Sequence, residues 1–164
     1  MYQPGEYIIY GTSGVCKVDA VGAPPFEDET NRLYYTLSPI YGTETIYLPV
    51  DSTVFTRPVI TKEQAQELIN MIPSVEVETL DTHNPRMRGE HYEEVLNRHD
   101  CEDLVQLIKT VYAKSMKNGR RISQIDQRYK KRAEDLLHGE LSVALGIPVS
   151  EVLDYITKAI ERQS

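Results

Sequence analysis

Eight of the twenty residues in AKSMKNGRRISQIDQRYKKR, positions 113–132, are cations: Lys114, Lys117, Arg120, Arg121, Arg128, Lys130, Lys131 and Arg132. Asp126 is the one acid among them, so the stretch carries +7 on a chain whose formal total is −7, and the remaining residues sum to −14. The chemistry open to such a segment is electrostatic: it can attract and hold a polyanion. A solvated basic helix surface would have the same composition, because Lys and Arg are the usual outer coat of helices.

Spacing gives the cations an arrangement. Asp100 followed by Asp103 marks a helix start, Leu104, Leu107, Ile108, Val111 and Tyr112 recur at helical spacing, and Asn118-Gly119 is a stop signal. Ser123 with Asp126 three residues on opens the next helix, whose apolar stripe is Tyr129, Ala133, Leu136, Leu137, Leu141 and Ala144. The basic stretch therefore spans the end of one helix, a corner holding Arg120 and Arg121, and the first turns of another. Lys114 and Lys117 share a side of the first helix, and Arg128, Lys131 and Arg132 are neighbours on the second. Several of these side chains could meet one phosphate backbone, with binding that weakens steeply as salt rises.

Enzymatic chemistry has little to stand on. Gly11-Thr12-Ser13-Gly14 lacks the Lys-Ser/Thr of a phosphate loop and leads into a strand. There is no HExxH and no CxxC. His91, His99 and Cys101 are not spaced as zinc ligands, and a Cys101–His99 nucleophile pair would still need a third, orienting group. No catalytic residue, metal site or cofactor is expected. The segment 144–152, ALGIPVSEV, resembles the turn of a DNA-reading helix-turn-helix, but Glu151 and Asp154 would face the phosphates, so a packing turn is the better reading.

The elements that must carry these residues fall into two regimes. Residues 1–57 alternate in short β-rich runs divided by turns: 6–10, 14–21, 32–41, 44–49 and 53–56. In the second run Cys16, Val18 and Ala20 form a small apolar face suited to a barrel interior, with Val15, Lys17, Asp19 and Val21 opposite. Pro24-Pro25 marks a loop, since neither residue has a backbone N–H to donate. Five such strands predict a small antiparallel barrel of the SH3 or Tudor kind.

Beyond Pro58 the period becomes helical. Thr61 and Gln64 form a capping box ahead of Ala65, Leu68, Ile69 and Ile72. Residues 74–88 are polar and interrupted by Asn84-Pro85, a short helix fits 90–97, and a last helix carries Val152, Leu153, Ile156 and Ile160. The expected fold is α+β: a barrel over 1–58, a connecting helix over 59–73, a linker over 74–88, and an all-α domain over 89–164. With 164 residues, 40% hydrophobic and 26% charged, the chain has the composition of a folded soluble protein. No secretory signal or membrane span is expected, and Cys16 and Cys101 read as reduced thiols of a cytoplasmic protein.

With both halves in view, the chain resembles the CarD/CdnL family of bacterial transcription regulators, whose N-terminal module also occurs in transcription-repair coupling factors. The residues that carry the resemblance are Gly5-Glu6-Tyr7-Ile8-Ile9-Tyr10, Gly14-Val15 and Val18, Tyr34-Tyr35-Thr36-Leu37, and Thr45-Ile46-Tyr47-Leu48-Pro49-Val50. Near the far end they are Arg128, Arg132-Ala133, Leu136-Leu137 and Gly139-Glu140-Leu141. The resemblance implies a Tudor-like barrel that binds the β subunit of RNA polymerase through an exposed strand edge. Here that surface would be Pro25 and Phe26 with Ile46, Tyr47 and Leu48.

The resemblance also implies a helical domain touching promoter DNA at the edge of the melted bubble. Such a protein has no catalytic activity, no small-molecule substrate and no membrane partner, and it modulates open-complex stability. Many members place a Trp wedge at the position that falls on Pro85; this chain has no Trp. Arg88 matches a basic residue of the family pattern, and Arg86 and Met87 stand beside it. The expected DNA-contacting set is Arg86, Met87, Arg88, Lys117, Arg120, Arg121, Arg128, Lys131 and Arg132. Phosphate contact with weak sequence preference is expected, because these are mostly point charges. The alternative is an interaction adaptor whose basic corner meets an acidic protein.

Overall fold

The computed structural model describes residues 1–79, 84–119 and 121–163. It divides into two compact units, Met1–Val59 and Ile60–Ser164.

The first unit is a five-stranded antiparallel sheet. Its strands are β1 (Tyr7–Tyr10), β2 (Gly14–Gly22), β3 (Tyr34–Pro39), β4 (Ile46–Pro49) and β5 (Thr56–Pro58), in the order β4-β3-β2-β1-β5. The last strand is displaced from the expected 53–56, because Ile8, Ile9 and Tyr10 pair with Pro58, Arg57 and Thr56. Pro58 is tolerated there because β5 is an end strand. The core is built from Ile8, Cys16, Val18, Tyr35, Leu37 and Leu48.

Simple alternation fails at one point in β2. Val18 pairs with Leu37 and Ala20 with Thr36, so Asp19 is an extra residue in the ladder. This bulge exchanges the faces beyond it. Ala20 is exposed, and Val21, opposite Tyr35, packs on the core in its place.

The second unit contains five α-helices: α1 (Lys62–Met71), α2 (Pro85–Leu96), α3 (Cys101–Lys117), α4 (Gln124–Leu145) and α5 (Val149–Glu161). Thr61 Oγ1 accepts from Gln64 N at 3.1 Å while Gln64 Oε1 accepts from Thr61 N at 2.9 Å, the reciprocal cap the sequence predicts. The helix that follows is not a free connector. Ala65, Leu68 and Ile69 belong to the same buried cluster as Val111, Leu141 and Val152. Each such Leu, Ile or Val side chain contributes roughly 1.5–3 kcal/mol by leaving water.

The expected linker is also partly structured. A 3-10 turn, Ile72–Ser74, ends in backbone carbonyls held by Lys109 Nζ, at 2.7 Å from Ile72 O and 2.5 Å from Val75 O. Glu78 N donates to Thr110 Oγ1 at 2.9 Å, so residues 72–78 run along α3. Helix α2 begins at Pro85, five residues ahead of the expected start. Asn84 Oδ1 accepts from Arg86 N at 2.9 Å, and Pro85 occupies the first turn, where no N–H is required.

The turn from α4 to α5 rests on Gly146, whose φ of +71° is a left-handed cap that a side chain would strain. The two helices meet at 86° and bury Leu145 and Val152, so the helix-turn-helix look-alike is a packing turn, with Glu151 and Asp154 exposed. Among the described residues no single helix is long and apolar enough to cross a membrane.

Candidate nucleic-acid and protein interfaces

Asp126 organises the helical unit's basic region. It is the third residue of α4, where its backbone N–H meets Ser123 Oγ at 3.2 Å. Its side chain is 2% exposed. Oδ1 accepts from Tyr92 OH at 2.7 Å and Arg88 Nε at 3.2 Å, and Oδ2 accepts from Lys114 Nζ at 3.0 Å. Burial alone would raise its pKa. The hydrogen bonds from Tyr92, Lys114 and Ser123, with the Lys114 charge, override that and hold the carboxyl below its ordinary value. Tyr92 is pushed the other way, by burial first and then by donating to this anion.

This cluster joins α2, α3 and α4 at one place. Arg88 Nη2 also reaches Ser123 Oγ at 3.3 Å, which brings the first turn of α2 to the start of α4. The expectation that Arg88 faces a phosphate is corrected here. Its side chain is 6% exposed and paired with Asp126, so it supports the surface from within.

The other expected cations divide into two sets. Arg132 Nη1 is 2.8 Å from Glu93 Oε1, and its guanidinium lies 5.2 Å from the Tyr129 ring centre. Tyr129 OH donates to the same Glu93 oxygen at 2.8 Å, and these two bonds lower the Glu93 pKa. Lys131 pairs with Asp135 one turn on, at 2.6 Å, on the exposed surface. Arg128 stacks over Tyr129 at 5.1 Å.

Lys117, Arg121 and Arg128 are exposed and make no ion pair among the described residues. Arg86 is 87% exposed, paired only loosely with Glu90 at 3.4 Å. Met87, beside it, is 55% exposed. Arg120 lies outside the described residues. The outward set is therefore Arg86, Met87, Lys117, Arg121 and Arg128, at the first turn of α2, the last turn of α3, the corner after it and the start of α4.

The sheet's candidate interface lies on β4. Phe26, from the loop between β2 and β3, meets the Tyr34 ring edge-on at 5.4 Å and the Tyr47 ring edge-on at 5.5 Å. Phe26 is 46% and Tyr47 38% exposed, while Tyr34 is buried. Pro25 is exposed next to them. Asp28 holds the loop: it accepts from Thr30 Oγ1 at 2.6 Å and Thr30 N at 3.0 Å, and these bonds first draw its carboxyl down to about 2. Of the expected polymerase-facing residues, Phe26 and Tyr47 are brought together. Leu48 instead points into the core at 5% exposure, opposite Tyr35, and Ile46 is partly buried against that core. The seating of Phe26 on the Tyr34 ring is not legible in the sequence, because β alternation says nothing about which loop folds back over a strand.

Neither cysteine is placed for nucleophilic work. Both are buried thiols, and Cys101 Sγ is 3.1 Å from the buried carboxylate of Glu140, which also accepts from Ile60 N at 2.9 Å. His91 is hydrogen-bonded to Glu78 at 2.7 Å. No group of three or more metal-ligating side chains is found among the described residues.

No curated protein matches the chain. The CarD-like/TRCF RID domain model does match, over residues 2–60, which takes in all five strands. Domains of this kind are non-enzymatic interaction modules of transcription factors that engage RNA polymerase. The first unit of this chain belongs to the CarD-like/TRCF RID domain family.

Proposed function

We propose that this protein is a non-catalytic, cytoplasmic transcription regulator that docks on the RNA polymerase β subunit through β4 and its aromatic pair. The helical unit then meets promoter DNA through Arg86, Lys117, Arg121 and Arg128, and so alters the stability of the open complex. The observation that carries the reading is the exposed Tyr47 on the end strand of a RID-type sheet, with the loop residue Phe26 packed against it. An end strand offers unpaired backbone groups to which a partner's strand can add. The two rings beside it supply side-chain area at low conformational cost.

Arginine and lysine side chains without base-edge partners favour phosphate contact over sequence readout. Such contact is weak by itself and becomes effective when polymerase raises the local DNA concentration. The test is capture of the full-length protein by immobilised β subunit, for wild type and Tyr47→Glu. Capture of the wild type with loss in the variant supports the reading. No capture of the wild type ends it.

A further inference from the structure

Tyr112 stands where the helical pattern of α3 expects a core residue, yet it is 59% exposed. Met116, one turn on, is 46% exposed. Tyr112 lines an open groove of about 720 Å³ between the second half of α3 and the first half of α4. That volume falls in the roughly 300–1,000 Å³ range of sites that take small organic groups. Ile122 adds an apolar patch, and Gln124 and Gln127 add side-chain amides. Arg128, Lys130 and Lys131 bring three cations against one lining carboxylate, Glu134. Glu134 is held by Lys130 at 2.6 Å in a half-buried i,i+4 pair, and such pairs near the surface are worth little against a competing anion.

An exposed aromatic ring bordered by cations and amides is the arrangement that holds single-stranded nucleic acid. A base stacks on the ring, the cations follow the backbone, and the amides bond base edges without strong preference. Duplex DNA cannot use the ring, because its bases are already stacked on one another. We propose that the α3–α4 groove is a subsite for an unpaired nucleotide segment, with Tyr112 as its stacking platform. The inference rests on the reading that the helical unit meets DNA, and it names the strand form the groove takes.

The test measures binding of fluorescein-labelled oligothymidylate, and of a labelled duplex, to the full-length protein by anisotropy. Tyr112→Ala is expected to weaken the oligothymidylate about tenfold, while Tyr112→Phe, which keeps the ring, stays within about twofold. Both variants should bind duplex as the wild type does. Because Tyr112 is exposed, urea unfolding of both should match the wild type.

Three results overturn the proposal: unchanged oligothymidylate binding by Tyr112→Ala, an equal loss on the duplex, or capture of polyglutamate as strongly as the oligonucleotide. Arg121→Glu on the duplex separates the two readings. A loss there with no effect of Tyr112 removes the groove and leaves the phosphate contact standing. No loss removes the phosphate contact, whatever the groove does.

Discussion

Arg88 Nε stands 3.2 Å from Asp126 Oδ1, and the two side chains are 6% and 2% exposed. An acid that is the lone negative charge in a basic segment is thereby the internal anchor of three helices. A buried pair of this kind is costly to break from one side, because the survivor stays charged and out of water.

Truncating Arg88 should therefore behave unlike truncating its neighbour. Arg88→Ala is expected to destabilise the helical unit by about 3–5 kcal/mol. Arg86→Ala, on the exposed surface, should stay within about 0.5 kcal/mol. Urea unfolding followed by circular dichroism decides it, and equal effects would refute the burial of Arg88.

Asp126 also sets an acid limit. Its folded pKa is depressed below the ordinary carboxylate value, so its contribution is fully present above the unfolded pKa of about 3.9. That contribution is lost as pH falls through the still lower folded value. Wild type should thus lose stability as pH falls below about 4. Asp126→Asn starts less stable and should lose less over the same interval. Parallel pH profiles for the two proteins would contradict this.

The sheet's aromatic pair should separate binding from folding. Tyr47→Glu and Phe26→Ser alter half-exposed rings, and each is expected to cost at most about 1–2 kcal/mol of stability. Polymerase affinity should drop at least about tenfold, as for a truncated interface anchor. Leu48→Ala probes the opposite: burial predicts a loss of about 2–5 kcal/mol in stability from a core residue. Denaturant curves and β-subunit titrations on the same preparations give both readings.

Salt dependence tests the outward cations. Replacing Arg121 or Arg128 with Ala should weaken binding to unrelated duplex sequences by a similar factor. It should also reduce the slope of log affinity against log salt by about 1. If the outward side is instead a meeting place for an acidic protein, duplex binding will be unchanged by either substitution.

Cys16 should be inert in the native state. Burial, and then the Glu44 charge, push its thiol up to about 11, so little thiolate exists near neutrality. A thiol reagent should modify it only when the sheet unfolds, and fast labelling of the native protein would show the strand packing to be wrong.

Local sequence determined much of this protein. Short strands around Gly and Pro, the Thr61–Gln64 cap, the Asp100 and Ser123 caps and the Gly146 stop are decided by a few adjacent residues, because each satisfies backbone groups within one turn. The charge of residues 113–132 was equally plain. What each cation faces was not. Lys114, Arg88 and Arg132 are spent on Asp126 and Glu93, acids 12, 38 and 39 residues away, whereas Lys117, Arg121 and Arg128 stay outward.

The same limit applies elsewhere. Helical spacing puts Tyr112 with Leu104 and Val111, but only the packing of α4 leaves it open to solvent. Alternation puts Ala20 inside, but the extra residue at Asp19 turns Val21 inward. Periodicity reports the faces of one element, whereas burial and pairing depend on which other element arrives there, and that is a property of the tertiary structure.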